Sequence, residues 1–189
     1  MIKIDEEYAL TEFELTDTHR LAYAIGDEEI AKNTLTIPHP YRIEDAEWWL
    51  TERGIRKNAG MPQTNWAIRN SKGEVCGGIA IQHKYGPKSH KDEIGYWLMR
   101  PLWGQGLMTK VVSKLSDYCF QELGLIRLEA PVFEHNKGSA RVLEKSGYQL
   151  EGKFKKAYRK KGVFYNSHFY AKIAELTIAP VAGFWSFAP

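Results

Sequence analysis

Two glycines one residue apart, Gly104 and Gly106, stand where a strand-like run gives way to the strongest helical pattern in the chain. Glycine enters left-handed backbone conformations freely, so such a pair can aim successive N–H groups into one concavity. At a helix start the macrodipole adds partial positive charge there, and a phosphate is the natural occupant. A Walker loop is excluded, because Leu107 and Met108 follow the second glycine where Lys and Ser or Thr would be needed. A dinucleotide fingerprint fails as well: its third glycine would fall at Thr109, and no early β-α-β unit precedes the loop. On these residues alone, a tight turn that merely caps the helix accounts for the pattern as well as a phosphate cradle does.

Other reactive residue types carry less. Cys76 and Cys119 lie inside apolar segments with no CxxC or Cys/His spacing, so they read as small core residues and no metal site is expected. His39, His83, His90 and His135 are scattered and read as surface residues. The one dense charge run is Lys153, Lys155, Lys156, Arg159, Lys160 and Lys161, a solvated face in the ordinary case and a phosphate contact in the alternative.

The elements that must position the glycine loop follow from periodicity. Residues 8–15 read as a strand, 18–31 as a helix, and a helix begins near Ile43 with Glu44 and Asp45 in its first turn. Pro38 and Pro40 keep the segment between those helices extended. Strands are expected at 66–68, 75–82 and 93–99, the first two joined by the turn 70–73, with a loop over 83–92. Residues 107–123 carry a stripe of Met108, Val111, Val112, Leu115, Tyr118, Cys119 and Glu122, closed by Gly124. A strand over 127–133, a short helix over 139–146 and two strands over 148–156 and 164–172, turning at Lys160-Lys161-Gly162, complete the order. Alternating and meandering pieces together predict an α+β fold with a mixed, mostly antiparallel sheet flanked by helices.

A length of 189 residues suits one domain, here 1–175, with 176–189 as a C-terminal tail of Pro, Gly, Trp and Phe without period. Hydrophobic content of 43% and charged content of 26% are those of a globular protein that needs no disulfide or metal to fold. A net charge of +3, mostly dispersed, demands neither a nucleic-acid nor a membrane partner. The N-terminus carries Asp5, Glu6 and Glu7 instead of an apolar signal region, and no apolar run is long enough to span a bilayer, so a cytoplasmic location is expected.

Three ordered stretches narrow the reading. They are Glu93-Ile94-Gly95-Tyr96-Trp97-Leu98, then Trp103-Gly104-Gln105-Gly106-Leu107-Met108-Thr109, then Asn136 through Tyr148. Together they resemble the GNAT superfamily of N-acetyltransferases, and more closely its RimJ/RimL-like branch of ribosomal-protein N-terminal acetyltransferases. The segment Ile37-Pro38-His39-Pro40-Tyr41, followed by Trp49-Leu50, resembles the same branch, and the likeness covers residues 8–172. The family's phosphate signature falls on Trp103, Gly106 and Met108, departing from it at the first and last positions, where Arg or Gln and Gly or Ala are usual. Arg100 is a candidate to replace the missing cationic side chain.

The resemblance implies a three-layer fold, acetyl-CoA as cosubstrate, a primary-amine acceptor and a monomer or homodimer. It places Leu98 and Met99 beside pantetheine through their backbones, with Trp103, Gly104, Gln105, Gly106, Leu107, Met108 and Thr109 around the pyrophosphate. Asn136 is implied as a side-chain ligand of pantetheine, with a cap or turn role as its alternative. Glu129 or Glu93 is the implied general base, with a solvated or salt-bridged strand carboxylate as the alternative for each. The family's usual acid, a Tyr, is replaced by Leu143, and Ser139 is the implied substitute, with helix capping as its alternative. Tyr41, Trp48 and Trp49 are implied to wall the acceptor. A non-catalytic acyl-CoA-binding module on the same fold is the second hypothesis, and a peptide- or nucleic-acid-binding protein the third.

Overall fold

The computed structural model describes residues 1–86 and 89–175; the expected tail, 176–189, lies outside the described residues. The first half of the chain runs β1 (Ile2–Lys3), β2 (Tyr8–Thr11), α1 (Thr18–Ile25), α2 (Glu28–Lys32), α3 (Ile43–Asn58), β3 (Asn65–Asn70) and β4 (Val75–Ile81). The second half runs β5 (Lys91–Leu98), α4 (Leu107–Gln121), β6 (Arg127–Phe133), α5 (Lys137–Lys145), β7 (Gln149–Lys160) and β8 (Val163–Ile173). One eight-stranded sheet forms in the order β1-β2-β3-β4-β5-β6-β8-β7. Every neighbouring pair is antiparallel except β5 and β6. This is the mixed, helix-flanked α+β sheet that the element order predicts.

The single parallel pair explains why α4 lies between its strands, since parallel neighbours need a crossover. Leu107, Met108, Val111, Val112, Leu115 and Cys119 of α4 are buried in the larger core, together with Leu128, Ala130 and Leu143. Glu122, expected as the last member of that stripe, instead terminates the helix as an exposed cap, two residues before Gly124 at φ +67°. A second core gathers Leu21, Ile25, Ile30, Ala46 and Leu50 from α1, α2 and α3. The two cores share no residue, so helices cover both sheet faces.

The expected helix over 18–31 is two helices. Gly26 ends α1, and Asp27 starts α2 by accepting a hydrogen bond from Glu29 N–H at 2.8 Å. The expected strand over 8–15 stops at Thr11. Asp17 accepts from Glu14 N–H at 2.8 Å and folds the next residues into a tight 3-10 turn. The strand β7 outruns its expected end at Lys156, because pairing with β8 resumes at Tyr158 after a register shift.

Candidate active site

The strands β5 and β6 pair only from Lys91–Glu93 to Arg127–Glu129 and then diverge. On its other edge β5 stays bonded to β4 as far as Leu98, and β6 stays bonded to β8 as far as Phe133. Gln82 N–H donates to the Glu93 carbonyl and Met99 N–H to the Cys76 carbonyl, each at 2.9 Å. Alternation along an antiparallel pair therefore turns the main-chain groups of Tyr96 and Leu98 into the gap. Pro131, which has no N–H to leave unpaired, lines the gap from β6. Unpaired strand edges facing each other invite an extended ligand that behaves as a further strand.

A cleft of about 1740 Å³ opens along this gap, larger than the roughly 300–1,000 Å³ of ordinary small-ligand sites and roomy enough for a long cosubstrate and an acceptor together. The glycine loop forms one end. Gly104 and Gly106 adopt φ +76° and +80°, and no heavy atom lies within 4 Å of where a Cβ would sit on either. Gly106 is the N-cap of α4 and offers no side chain, while the first intrahelical bond is Lys110 N–H to the Gly106 carbonyl at 3.2 Å. The amides of Leu107, Met108 and Thr109 are thus left for an anion, and these residues and both glycines line the cleft. The side chains of Leu107 and Met108 serve the core instead. Trp103 ties the loop to β5 by donating its indole N–H to the Leu98 carbonyl at 2.8 Å.

Three expected contacts are placed differently. Met99 N–H is committed to Cys76, so of the two residues expected beside pantetheine only Leu98 turns its backbone to the gap. Gln105 folds its amide onto the Pro101 carbonyl at 2.8 Å and does not line the cleft. Arg100, expected as a substitute cation, reaches toward Asp27 at 3.8 Å and does not line the cleft.

The carboxylates Glu93 and Glu129 are register partners in very different surroundings. Glu93 lines the cleft, its side chain 16% exposed, with Lys84 Nζ at 2.8 Å. Glu129 is outside the cleft wall, 4% exposed, and accepts from Tyr85 Oη at 2.6 Å, Arg127 Nε at 2.7 Å and Lys91 Nζ at 3.0 Å. Burial alone would raise its pKa, but the three donors override burial and hold it at about 2. A depressed carboxylate stabilises the fold above its ordinary value of 4.5 and loses that contribution as pH falls toward 2. The contribution is expected to be on the order of 3 kcal/mol at neutral pH. Urea midpoints of wild type and Glu129→Gln should differ most at pH 7 and converge only as pH falls toward about 2; an equal gap at neutral pH and near pH ~2 would refute the assignment.

Asn136, not Ser139, caps α5: its Oδ1 accepts Ser139 N–H at 3.0 Å. The Ser139 hydroxyl is left 2.8 Å from Tyr96 Oη, and both residues line the cleft. Burial keeps the Tyr96 phenol far above its usual pKa, with the Ser139 hydrogen bond pulling the other way. Leu143 is wholly buried in the core.

At the far end, Tyr41 and Trp49 pack on the second core, and burial pushes the Tyr41 phenol up to about 12. Trp49 meets Phe13 edge-on at 5.0 Å, whereas Trp48 is 67% exposed at the rim. Sequence reasoning missed the opposite wall, where Phe133 stacks on Tyr165 at 4.9 Å and meets Tyr158 at 5.9 Å. Its signal was the pair of tyrosines flanking the Lys160-Lys161-Gly162 turn. Lys160, expected on a solvated face, donates to the carbonyls of Ala31 and Thr34 at 2.6 Å and of Ile37 at 3.1 Å, pinning that hairpin to the loop before Tyr41. Among the described residues no cluster of three or more His, Cys, Asp or Glu could hold a metal, and no helix is long and apolar enough to cross a membrane.

Comparison with known proteins agrees with this geometry. A family model described as an acetyltransferase (GNAT) domain matches residues 8–149. The uncharacterized N-acetyltransferase YoaA of Bacillus subtilis is 35% identical over 121 residues, 64% of this chain and 63% of YoaA. Two other B. subtilis relatives are matched over 39% and 54% of their own lengths, so the chain spans less than two thirds of these proteins. The L-amino acid N-acetyltransferase AaaT of Escherichia coli is 24% identical over 88% of this chain and 98% of its own. Among solved structures, ribosomal-protein-S5-alanine acetyltransferase from Vibrio fischeri shares the fold at a TM-score of 0.78, with 20% identity over 90% of this chain and 95% of that one.

Proposed function

The chain belongs to the GNAT acetyltransferase family, and from that premise we propose that it transfers the acetyl group of acetyl-CoA to a primary amine by direct attack. The observation that carries this is the gap between β5 and β6, which opens onto an uncapped helix start with two left-handed glycines. The amides of Leu107, Met108 and Thr109 fit the pyrophosphate, and the main-chain groups of Tyr96 with the N–H of Leu98, whose carbonyl holds Trp103, fit the pantetheine arm. Acetyl-CoA, when bound, supplies a thioester whose carbonyl carbon accepts the amine and whose thiolate leaves.

Glu93 takes the acceptor's proton on its carboxylate, being the strand carboxylate that lines the cleft. Glu129, held by three donors outside the wall, keeps the 83–86 segment and β6 in place. Ser139 holds a proton for the leaving group, backed by the Tyr96 hydroxyl. The aromatic walls of Tyr41 and Trp49, with Trp48 at the rim, and of Tyr158 and Tyr165 orient the acceptor and exclude water. The acceptor is a protein N-terminus or a small amine, and relatives named for ribosomal protein S5 and for L-amino acids exemplify the two classes.

Thiol release from acetyl-CoA across a panel of peptides and small amines tests the activity. Amine-dependent release with an acetylated product upholds it. Acetyl-CoA binding without release would instead make the chain a non-catalytic acyl-CoA-binding module, which the loss of the family Tyr at Leu143 favours. Ser139→Ala is expected to lower kcat with acetyl-CoA affinity retained, while Asn136→Ala removes the cap and costs about 1 kcal/mol of stability. Melting temperature and steady-state rate on the two variants separate the roles, and an unaltered rate for Ser139→Ala ends the proton-donor assignment.

A further inference from the structure

Half-buried arginines in this fold have partners, with one exception. Arg20 donates to the Val75 carbonyl at 2.9 Å, Arg69 to both oxygens of Asp17 at 2.8 Å, and Arg127 to Glu129 and Glu151 at 2.7 and 2.6 Å. Arg53 makes no ion pair or hydrogen bond among the described residues, and its Nε is closed to solvent without a partner. Its guanidinium lies over the Trp49 ring, 5.3 Å from the centroid, and lines the cleft. Burial, with repulsion from Arg56 one turn along, weakens its hold on its proton, and the neighbouring Glu52 only partly offsets this. Asp45, the acid of α3 that also lines the cleft, is spent on Arg42 N–H at 2.8 Å.

A half-buried guanidinium whose Nε is closed to solvent and unpartnered is costly, and a fold that keeps one in a ligand cleft leaves its neutralisation to the ligand. Arg53 sits on α3 beside Trp49, with the second core, whereas the glycine loop leads into α4 on the other sheet face. The anion it meets therefore belongs to the acceptor and not to the cosubstrate's phosphates. A planar guanidinium fork placed over an indole matches the two oxygens of a carboxylate.

We propose that Arg53 binds a carboxylate of the acceptor, so that the preferred acceptors are free amino acids. This rests on the acetyltransferase reading above, and the test separates the two. Acetyl transfer is measured with a set of L-amino acids and their matching carboxamides, using wild type and Arg53→Met, whose aliphatic stem still covers Trp49. Wild type is expected to favour at least one acid over its carboxamide in kcat/KM by about tenfold or more. In Arg53→Met that ratio falls to about one, chiefly through KM, and the melting temperature holds or rises because an unpartnered, half-buried charge is gone. Equal use of acid and carboxamide by wild type, or an unchanged ratio in the variant, overturns the proposal. If no amine is acetylated, the activity reading fails, and thermal shifts with CoA and the same amino acids decide the carboxylate site alone. Stabilisation of wild type but not of Arg53→Met upholds it, and equal shifts overturn it.

Discussion

Gly106→Val is expected to weaken acetyl-CoA binding by about 10²-fold or more in a protein that still folds. The residue sits at φ +80°, where a β-branched side chain is strained by on the order of 1–3 kcal/mol. No atom lies within 4 Å of the added Cβ, so the fold meets no clash, and strain is relieved by turning the flanking peptides. That rotation re-aims the amides at the start of α4, which no side chain caps. Losing two charge-assisted hydrogen bonds to a phosphate accounts for the expected factor, since each is worth about 1.5–3 kcal/mol. Titration calorimetry with acetyl-CoA, alongside circular dichroism to establish folding, makes the measurement. A folded variant with wild-type affinity would take the phosphate-loop assignment away.

The place of that loop was legible because its determinants are local: a strand pattern, two glycines, and a 3.6-residue stripe that Gly124 closes. Its occupant was not, because a cap and a cradle use the same residues, and only the uncapped amides and the gap beside them separate the two. Asn136 and Ser139 show the same limit at shorter range. Both are good capping residues, and which one caps depends on where the helix begins, a boundary the periodic pattern leaves open by two residues. Gly26-Asp27, by contrast, was a readable stop and start within the expected helix over 18–31, outweighed there by the apolar spacing on either side.

What depends on strand register was out of reach. Which of Leu98 and Met99 turns its backbone to the gap follows from the hydrogen-bonding parity of β4 and β5, and no side chain records it. The difference between Glu93 and Glu129 has the same origin. Both lie on strands, each is followed by an apolar residue, and the resemblance offered either as base. Register brings Lys91 and Arg127 together beside Glu129, and the loop after β4 lays Tyr85 on it, so its charge is neutralised locally. The significance of Arg53 is its lack of a partner, which is a property of the whole packed structure.

Glu93→Gln is accordingly expected to lower kcat by about 10²-fold or more, with acetyl-CoA affinity little changed, because positioned general bases contribute that much. The substitution keeps the side chain's size and its place on β5 but removes the oxygen charge that receives a proton. Lys84 Nζ lies 2.8 Å from Glu93 Oε2, so an ammonium is already accommodated at the carboxylate, and an acceptor amine reaching it meets the same geometry. Glu129→Gln should act on the other axis, lowering stability at neutral pH and leaving kcat within a fewfold range, since that carboxylate is outside the cleft wall. Rates are best compared from about pH 6 to 9, where the acceptor amine itself begins to deprotonate and a lost base is partly compensated. The Glu93→Gln deficit should therefore shrink as pH rises. A double variant with near-normal rates across that range would leave deprotonation to water or to the acceptor, and Glu93 would then be only the partner of Lys84.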